Sequence, residues 1–170
     1  MSNDSPCSAQ EFEFRRLQPG EVMAAEDLLR QVAGEIRKAG RRQRVAETTR
    51  EMLEQWQREQ ALWGVLDRRE LLGVVAMRRE TLLNWPDWVH LGPQWMVRGL
   101  ATAPAHRGKS VGRFAMQRLL NRWVSEPVYL DCVSQFLPEF YAGLGFRELA
   151  RREQMFSDGR PIEIVLMKWP

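Results

Sequence analysis

The sequence predicts a single α/β domain, more narrowly α+β, with a mixed central sheet of about seven strands flanked by about four helices. Three observations carry this. A chain of 170 residues that is 44% hydrophobic is long enough for one well-buried core and short for two ordinary domains. Short stretches of period-two alternation interleave with stretches of helical spacing. One strand, loop, helix and strand run forms a crossover, which supplies a parallel pair among strands otherwise joined as hairpins.

The elements follow in order. Phe12 and Phe14 alternate with Glu11, Glu13 and Arg15, a half-buried strand that ends at Pro19-Gly20. Ala25, Leu29, Val32 and Ile36 recur at helical spacing up to Gly40, and Val45, Met52, Leu53 and Trp56 give a second helix after RRQR. ALWGVL and LLGVVAM, joined by the polar turn DRRE, read as an antiparallel hairpin, and WMVRGLAT, residues 95–102, as the next strand. After the loop APAHRGKS, Val111, Phe114, Ala115, Leu119 and Trp123 mark a helix. VYLDCV then gives a buried strand, and LPEFYAGL a short helix opened by Pro138. FRELA and PIEIVLM, separated by SDGR, close the chain as a second hairpin.

Composition narrows the function. With 25 Lys and Arg against 22 Asp and Glu, the net charge is only +3, too small an excess to imply a nucleic-acid partner. Cys7 and Cys132 form neither a disulfide framework nor a metal-ligand spacing, which suits a reducing cytosol and no metal. MSNDSPCSAQ lacks the basic start and apolar run of a signal peptide, and no stretch reaches the ~20 apolar residues of a membrane span. The expectation is a cytoplasmic protein with a disordered tail over residues 1–10 and one domain over 11–170.

APAHRGKS, residues 103–110, fits the loose phosphate-binding pattern A/GxxxxGK followed by Ser or Thr. In a nucleotide kinase such a loop follows the first strand of a parallel sheet, with further strands and helices beyond it. Here it comes after about 100 residues, with one crossover and a hairpin still to follow, so the kinase is a remote alternative.

The same segment read as LATAPAHRGKSVGRFAMQRLL, together with YLDCVSQFLPEFYAGLGF, resembles the GCN5-related N-acetyltransferase (GNAT) family over nearly the whole chain after the tail. The first stretch matches the family's strand, Pro and R/QxxGxG/A pattern, with Ser110 where Gly is usual; the second ends in the family's FYxxLGF. The resemblance implies acetyl coenzyme A as cofactor. Leu100, Ala101 and Thr102 would then offer main-chain partners to the pantetheine arm across a V-shaped gap between strands. Arg107, Gly108, Lys109, Ser110, Val111 and Gly112 would hold the pyrophosphate on a helix N-terminus, where free N–H groups and the dipole favour an anion. Ser134 stands near the place where many members contact the cofactor through Asn.

Acetylating an amine requires a neutral amine, a polarised thioester carbonyl and a proton for the leaving thiolate. Tyr141 is the expected proton donor, and core packing is the competing reading of a tyrosine beside Phe140. The base is open between Asp131, Glu80, His90 and water. Trp85 and Trp88, in the tryptophan-rich loop before the 95–102 strand, would line the acceptor pocket, cap the sheet or make a homodimer contact. RKAGRRQR, residues 37–44, reads first as a solvated basic turn between helices, ahead of a nucleic-acid contact, with a place bordering the coenzyme's phosphates as the other alternative. The expected activity is acetyl transfer from acetyl coenzyme A to a small-molecule or peptide amine by direct attack in a ternary complex. A coenzyme A-binding sensor of the same fold is the alternative.

Overall fold

The computed structural model describes residues 12–123 and 125–170. The tail expected at 1–10 lies outside them. The elements are β1 Glu13–Arg16, α1 Val22–Lys38, α2 Arg50–Arg58, β2 Leu62–Asp67, β3 Glu70–Thr81, β4 Pro93–Thr102, α3 Val111–Leu120, β5 Val128–Val133, α4 Leu137–Ala142, β6 Arg147–Met155 and β7 Pro161–Trp169. This is the expected order of strands and α-helices. The seven strands form one sheet in the order β1-β2-β3-β4-β5-β7-β6.

Two boundaries differ for identifiable reasons. The segment from Val45 to Trp56 is not one helix. A 3₁₀ turn, Arg44–Glu47, stops at an extended Thr48, and Thr49 restarts the chain as N-cap of α2 by accepting a hydrogen bond from the Met52 N–H. The closing hairpin is longer than expected, pairing Arg147 with Lys168 through to Met155 with Pro161. β6 is an edge strand dominated by exposed polar side chains, so its sequence shows little alternation.

The helices cover both faces. On one, Val111, Ala115 and Leu119 of α3 pack on Val75, Val97 and Leu130 of the sheet, with Tyr141 and Phe146 closing the far end. On the other, Leu29 and Val32 of α1 and Leu53 and Trp56 of α2 bury against Leu62 and Val74. Each fully buried Leu of this kind contributes ~1.5–3 kcal/mol by leaving water.

The feature that positions the site lies between β4 and β5. They run parallel, yet only Trp95 with Val128 and Met96 with Tyr129 are in register. Beyond that point β4 stays with β3 to Thr102, and β5 stays with β7 along its whole length. The sheet therefore splits into β1–β4 and β5–β7–β6. A register shift opposite Val74–Ala76 falls at Gly99, whose φ of +60° suits a residue without a side chain. A Cβ there would stand 2.9 Å from the Trp56 ring. The extra residue resets the alternation: Val97 and Leu100 pack toward α3, and Ala101 toward α1.

Candidate active site

The split opens into a cleft of about 1100 Å³ that passes through the sheet, with α2 residues Met52 and Trp56 on one side and Val111, Gly112 and Tyr141 on the other. A pocket of this size suits a ligand as large as a nucleotide cofactor. Past Met96, β4 has a ladder partner among the described residues on its β3 side alone, so main-chain groups on the other edge of residues 97–102 can bind an extended, amide-bearing ligand.

At one mouth the chain turns through the 3₁₀ segment Pro104–His106, an extended Arg107, Gly108 at φ +77° and Ser110 at φ +62°, and enters α3. Ser110 is the N-cap residue, but its side chain accepts no capping hydrogen bond. The first N–H groups of α3 thus retain their capacity for an anion, and Gly108 and Gly112 keep the approach narrow in side-chain bulk. His106 lines this mouth, its Nε2 3.0 Å from Glu70 Oε1.

Deeper in, Tyr141 from α4 lies between Phe140 and Phe146 in edge-on ring contacts. Burial, with Cys132 and Asp131 adding to it, raises the phenol pKa above its ordinary value, so the group holds its proton at neutral pH. Cys132 of β5 is also on the cleft wall, and burial pushes its thiol up to about 12, which keeps it a poor nucleophile.

The opposite mouth carries a chain of charges. Arg78 donates to Glu59 at 2.8 Å and to Glu80 Oε1 at 2.7 Å. Arg98 donates to Glu80 Oε2 at 3.0 Å and to Asp131 Oδ1 at 2.8 Å. Arg44 reaches the same Asp131 oxygen at 3.2 Å, and the Trp85 indole N–H donates to Oδ2 at 3.3 Å. Burial works against the charge of Arg98, but Asp131 and Glu80 outweigh it and raise its pKa. The Asp131 side chain is 1% exposed and Glu80 is 21% exposed, which leaves Glu80 the more accessible of the two carboxylates.

The sequence profile of the acetyltransferase (GNAT) family matches residues 28–146, which contain the split strands, the loop and α4. The chain belongs to the GNAT acetyltransferase family. Acetyl coenzyme A is the cofactor of that family. Solved structures share the fold. A GNAT acetyltransferase from Listeria monocytogenes superposes with a TM-score of 0.74 at 17% identity, covering 95% of each chain. The ribosomal-protein-S18-alanine N-acetyltransferase of Escherichia coli gives 0.68 at 14%, covering 94% of each. A Salmonella typhimurium protein solved with its cofactor acetyl-CoA gives 0.65 at 15%, covering 92% of each. No curated protein matches the chain in sequence.

Against the GNAT expectations, Leu100, Ala101, Thr102, Arg107, Gly108, Ser110, Val111, Gly112 and Tyr141 all line the cleft. Lys109 and Ser134 are not on its wall: Lys109 is exposed, and the backbone of Ser134 bonds to Glu163 of β7. Trp85 and Trp88 are likewise absent from the wall. Trp85 is buried in a core with Met96, Tyr129 and Leu166, Trp88 packs against it at 6.4 Å, and Trp85 touches the site only through Asp131. Burial of Trp85 in that core removes the ring faces an acceptor would stack on, while Trp88 is partly buried against the same core. His90 is exposed and outside the cleft. Arg44, read as part of a solvated basic turn, is instead a cleft residue paired with Asp131. Sequence reasoning misses Arg98. Its only sequence signal is a charge inside an apolar strand, which calls for a buried partner.

Proposed function

We propose that the protein is an N-acetyltransferase that moves the acetyl group of acetyl coenzyme A to an amine by direct attack in a ternary complex. The observation that carries this is the β4–β5 split, which joins an uncapped helix N-terminus at one mouth to a carboxylate-bearing mouth at the other through free main-chain edge. The α3 N–H groups with Arg107 would hold the pyrophosphate, and residues 100–102 the pantetheine amides.

Acetyl coenzyme A supplies a thioester whose carbonyl carbon the neutral amine attacks; the C–N bond forms and the C–S bond breaks. A main-chain N–H at Leu100 polarises the carbonyl oxygen. Tyr141 donates its proton, or a strong hydrogen bond, to the departing sulfur. Glu80, through water, receives the proton that the amine nitrogen sheds; Asp131 is too fully bonded to serve.

A thermal-shift comparison tests the cofactor, because a ligand that binds only the folded state raises its stability. Acetyl coenzyme A without metal should raise Tm, while ATP with Mg²⁺ should leave it unchanged. Thiol release with a panel of small amines and peptide N-termini then tests turnover. Cofactor binding with no thiol release from any amine would favour the sensor, and stabilisation by ATP and Mg²⁺ alone would overturn the reading.

A further inference from the structure

Arg44, Arg78 and Arg98 stand at the mouth of the cleft opposite α3, and their guanidinium groups are not equally occupied. Arg78 commits all three of its nitrogens to Glu59 and Glu80. Arg98 commits all three to Glu80 and Asp131. Arg44 uses Nη1 alone, 3.2 Å from Asp131 Oδ1 and 3.3 Å from Gln154 Oε1. The first of these is longer than the ~2.7–2.9 Å of a good charge-assisted bond. Its Nε and Nη2 have no partner among the described residues, and both reach solvent. The Arg44 side chain is 34% exposed on the cleft wall. The backbone that carries it is held firmly: Arg42 donates to Asp158 and to the carbonyls of Arg160 and Pro161, and Glu47 accepts from the Ser157 N–H. Arg44 therefore presents one open edge of a guanidinium from a fixed support.

We propose that the acceptor is a small amino acid-type molecule, with a carboxylate on the same molecule as the amine, and that Arg44 selects it by pairing Nε and Nη2 with that carboxylate. The planar edge matches the two oxygens of a carboxylate in both geometry and charge. The amine is the other pole. Glu80, the more accessible carboxylate, is joined to Arg44 through Arg98 and Asp131, so the two poles belong to one small site. The described carboxylates on the wall of this mouth are Glu47, Glu80 and Asp131, against Arg44, Arg78 and Arg98, which leaves no surplus of negative charge to draw in a polyamine. A phosphate dianion would call for a second free cation, and Arg78 and Arg98 are already paired. Val45, Met52 and Phe136 also line the cleft, with Phe136 66% exposed beneath the Arg41 guanidinium, and they favour an apolar side chain on the acceptor. Turning Arg44 to a ligand strands no ion, since Asp131 keeps Arg98 and the Trp85 indole N–H. This inference rests on the acetyl-transfer reading of the cleft and names the acceptor class for it.

The test compares phenylalanine with phenylalaninamide and phenethylamine, which keep the amine and the ring but lack the carboxylate; spermidine and phosphoethanolamine complete the panel. From thiol release, kcat/KM should be at least tenfold higher for phenylalanine than for each of the others. In Arg44→Gln the preference for phenylalanine over its amide should collapse to within about twofold, through KM for phenylalanine more than through kcat. Arg44→Lys, which keeps the charge without the fork, should fall between the two. A merely structural loss would lower all acceptors together and leave the ratio standing. Equal or greater kcat/KM for any of the other four acceptors overturns the proposal, and so does a full preference retained in Arg44→Gln. If Arg44→Gln fails to fold, the parent's selectivity and the Arg44→Lys ratio decide in the same way. The acetyl-transfer reading fails separately, as acetyl coenzyme A binding without thiol release from any acceptor. Calorimetric titration of phenylalanine and phenylalaninamide into the protein, with and without coenzyme A, then decides the site: phenylalanine bound at least tenfold more tightly supports it, and equal or absent binding overturns it.

Discussion

The two mouths of the cleft are built in different ways. At the mouth proposed for the cofactor, residues 100–112 are one continuous stretch, and what they present is mostly main chain: a strand edge, two glycines and the first N–H groups of α3. At the other mouth, Arg44, Glu80, Arg98 and Asp131 come from four separate segments and present charged side chains that bond chiefly to one another. A main-chain site needs only the right local conformation, so a short motif can specify it. A side-chain network needs the finished fold to bring its members together, and each member alone looks like an ordinary surface charge. The contiguous half is therefore suited to a constant ligand, and the assembled half can change with the acceptor.

The largest effect should come from Tyr141, which tests the motif-encoded half. Tyr141→Phe keeps the ring contacts with Phe140 and Phe146 and removes one hydroxyl, so stability should hold. kcat should fall about 10²- to 10⁴-fold, ~3–5 kcal/mol, with KM nearly unchanged. An activated thioester with a more acidic leaving thiol should recover part of the rate. Because the phenol pKa is raised, its proton is retained beyond pH ~10, where an unfolded tyrosine ionises. The contribution of this group to stability is thus complete below pH ~10 and is lost as pH rises toward the folded value. A pH–kcat profile that declines between pH 7 and 9 on a group absent from Tyr141→Phe would contradict this assignment.

Arg98 tests the assembled half. Arg98→Met alone leaves the Asp131 carboxylate buried with only the partly exposed Arg44 and Trp85 as partners, and should lower stability by about 3 kcal/mol in urea unfolding. Arg98→Met/Asp131→Asn, a double variant that removes both charges of the pair, should be less destabilised than Arg98→Met alone. If the single and double variants were equally unstable, the network would be packing and not an electrostatic unit.

The sequence was informative in proportion to locality. The crossover from β4 through α3 to β5 and the chain order of all seven strands follow from period and turn residues within short windows, and FYxxLGF from its resemblance to the family's motif. The split itself does not, since it depends on which main-chain groups lack a partner between two strands whose last paired residues, Met96 and Tyr129, stand 33 positions apart. Trp85 and Trp88 misled for a related reason: three tryptophans within eleven residues look like a recognition surface, and only tertiary packing shows that Trp85 is buried with Leu166 of β7. The basic run over 37–44 leaves a solvated turn and a place at the site both open, and only the fold decides, because one of its arginines, Arg44, finds Asp131 87 residues away.

A smaller effect tests whether the cofactor mouth depends on backbone access. A Cβ at Gly112 would meet Thr102 Oγ1 at 3.4 Å and Phe140 Cζ at 3.7 Å, ordinary contact, so Gly112→Ala should fold and bind nearly as the parent does. Gly112→Val adds two methyl groups where an anion must approach the α3 N–H groups, and should weaken acetyl coenzyme A about tenfold, ~1.4 kcal/mol, in a folded protein. Equal affinity for parent and Gly112→Val would move the pyrophosphate away from α3.

The smallest effect concerns Ser110, where this chain departs from the glycine usual in its family. Ser110 adopts φ +62° and ψ +15°, a left-handed conformation that costs a residue with a Cβ about 1–2 kcal/mol. Its hydroxyl does not offset that cost by capping α3. Ser110→Gly relieves the strain but gives the unfolded chain more freedom, worth roughly 0.5–1 kcal/mol in the other direction. The net should be a stabilisation of about 0.5 kcal/mol, seen as a small rise in Tm. Cofactor affinity separates two accounts of the serine. If the hydroxyl only tolerates its place, Ser110→Gly binds acetyl coenzyme A as tightly as the parent. If it donates to a phosphate oxygen, the glycine variant is the more stable protein and the weaker binder, and Ser110→Ala, which keeps the strain and lacks the hydroxyl, loses the same affinity with no gain in Tm. The latter pattern would put a side chain with a specific role into the main-chain half of the cleft, and the division between its two mouths would be less sharp than the backbone alone makes it.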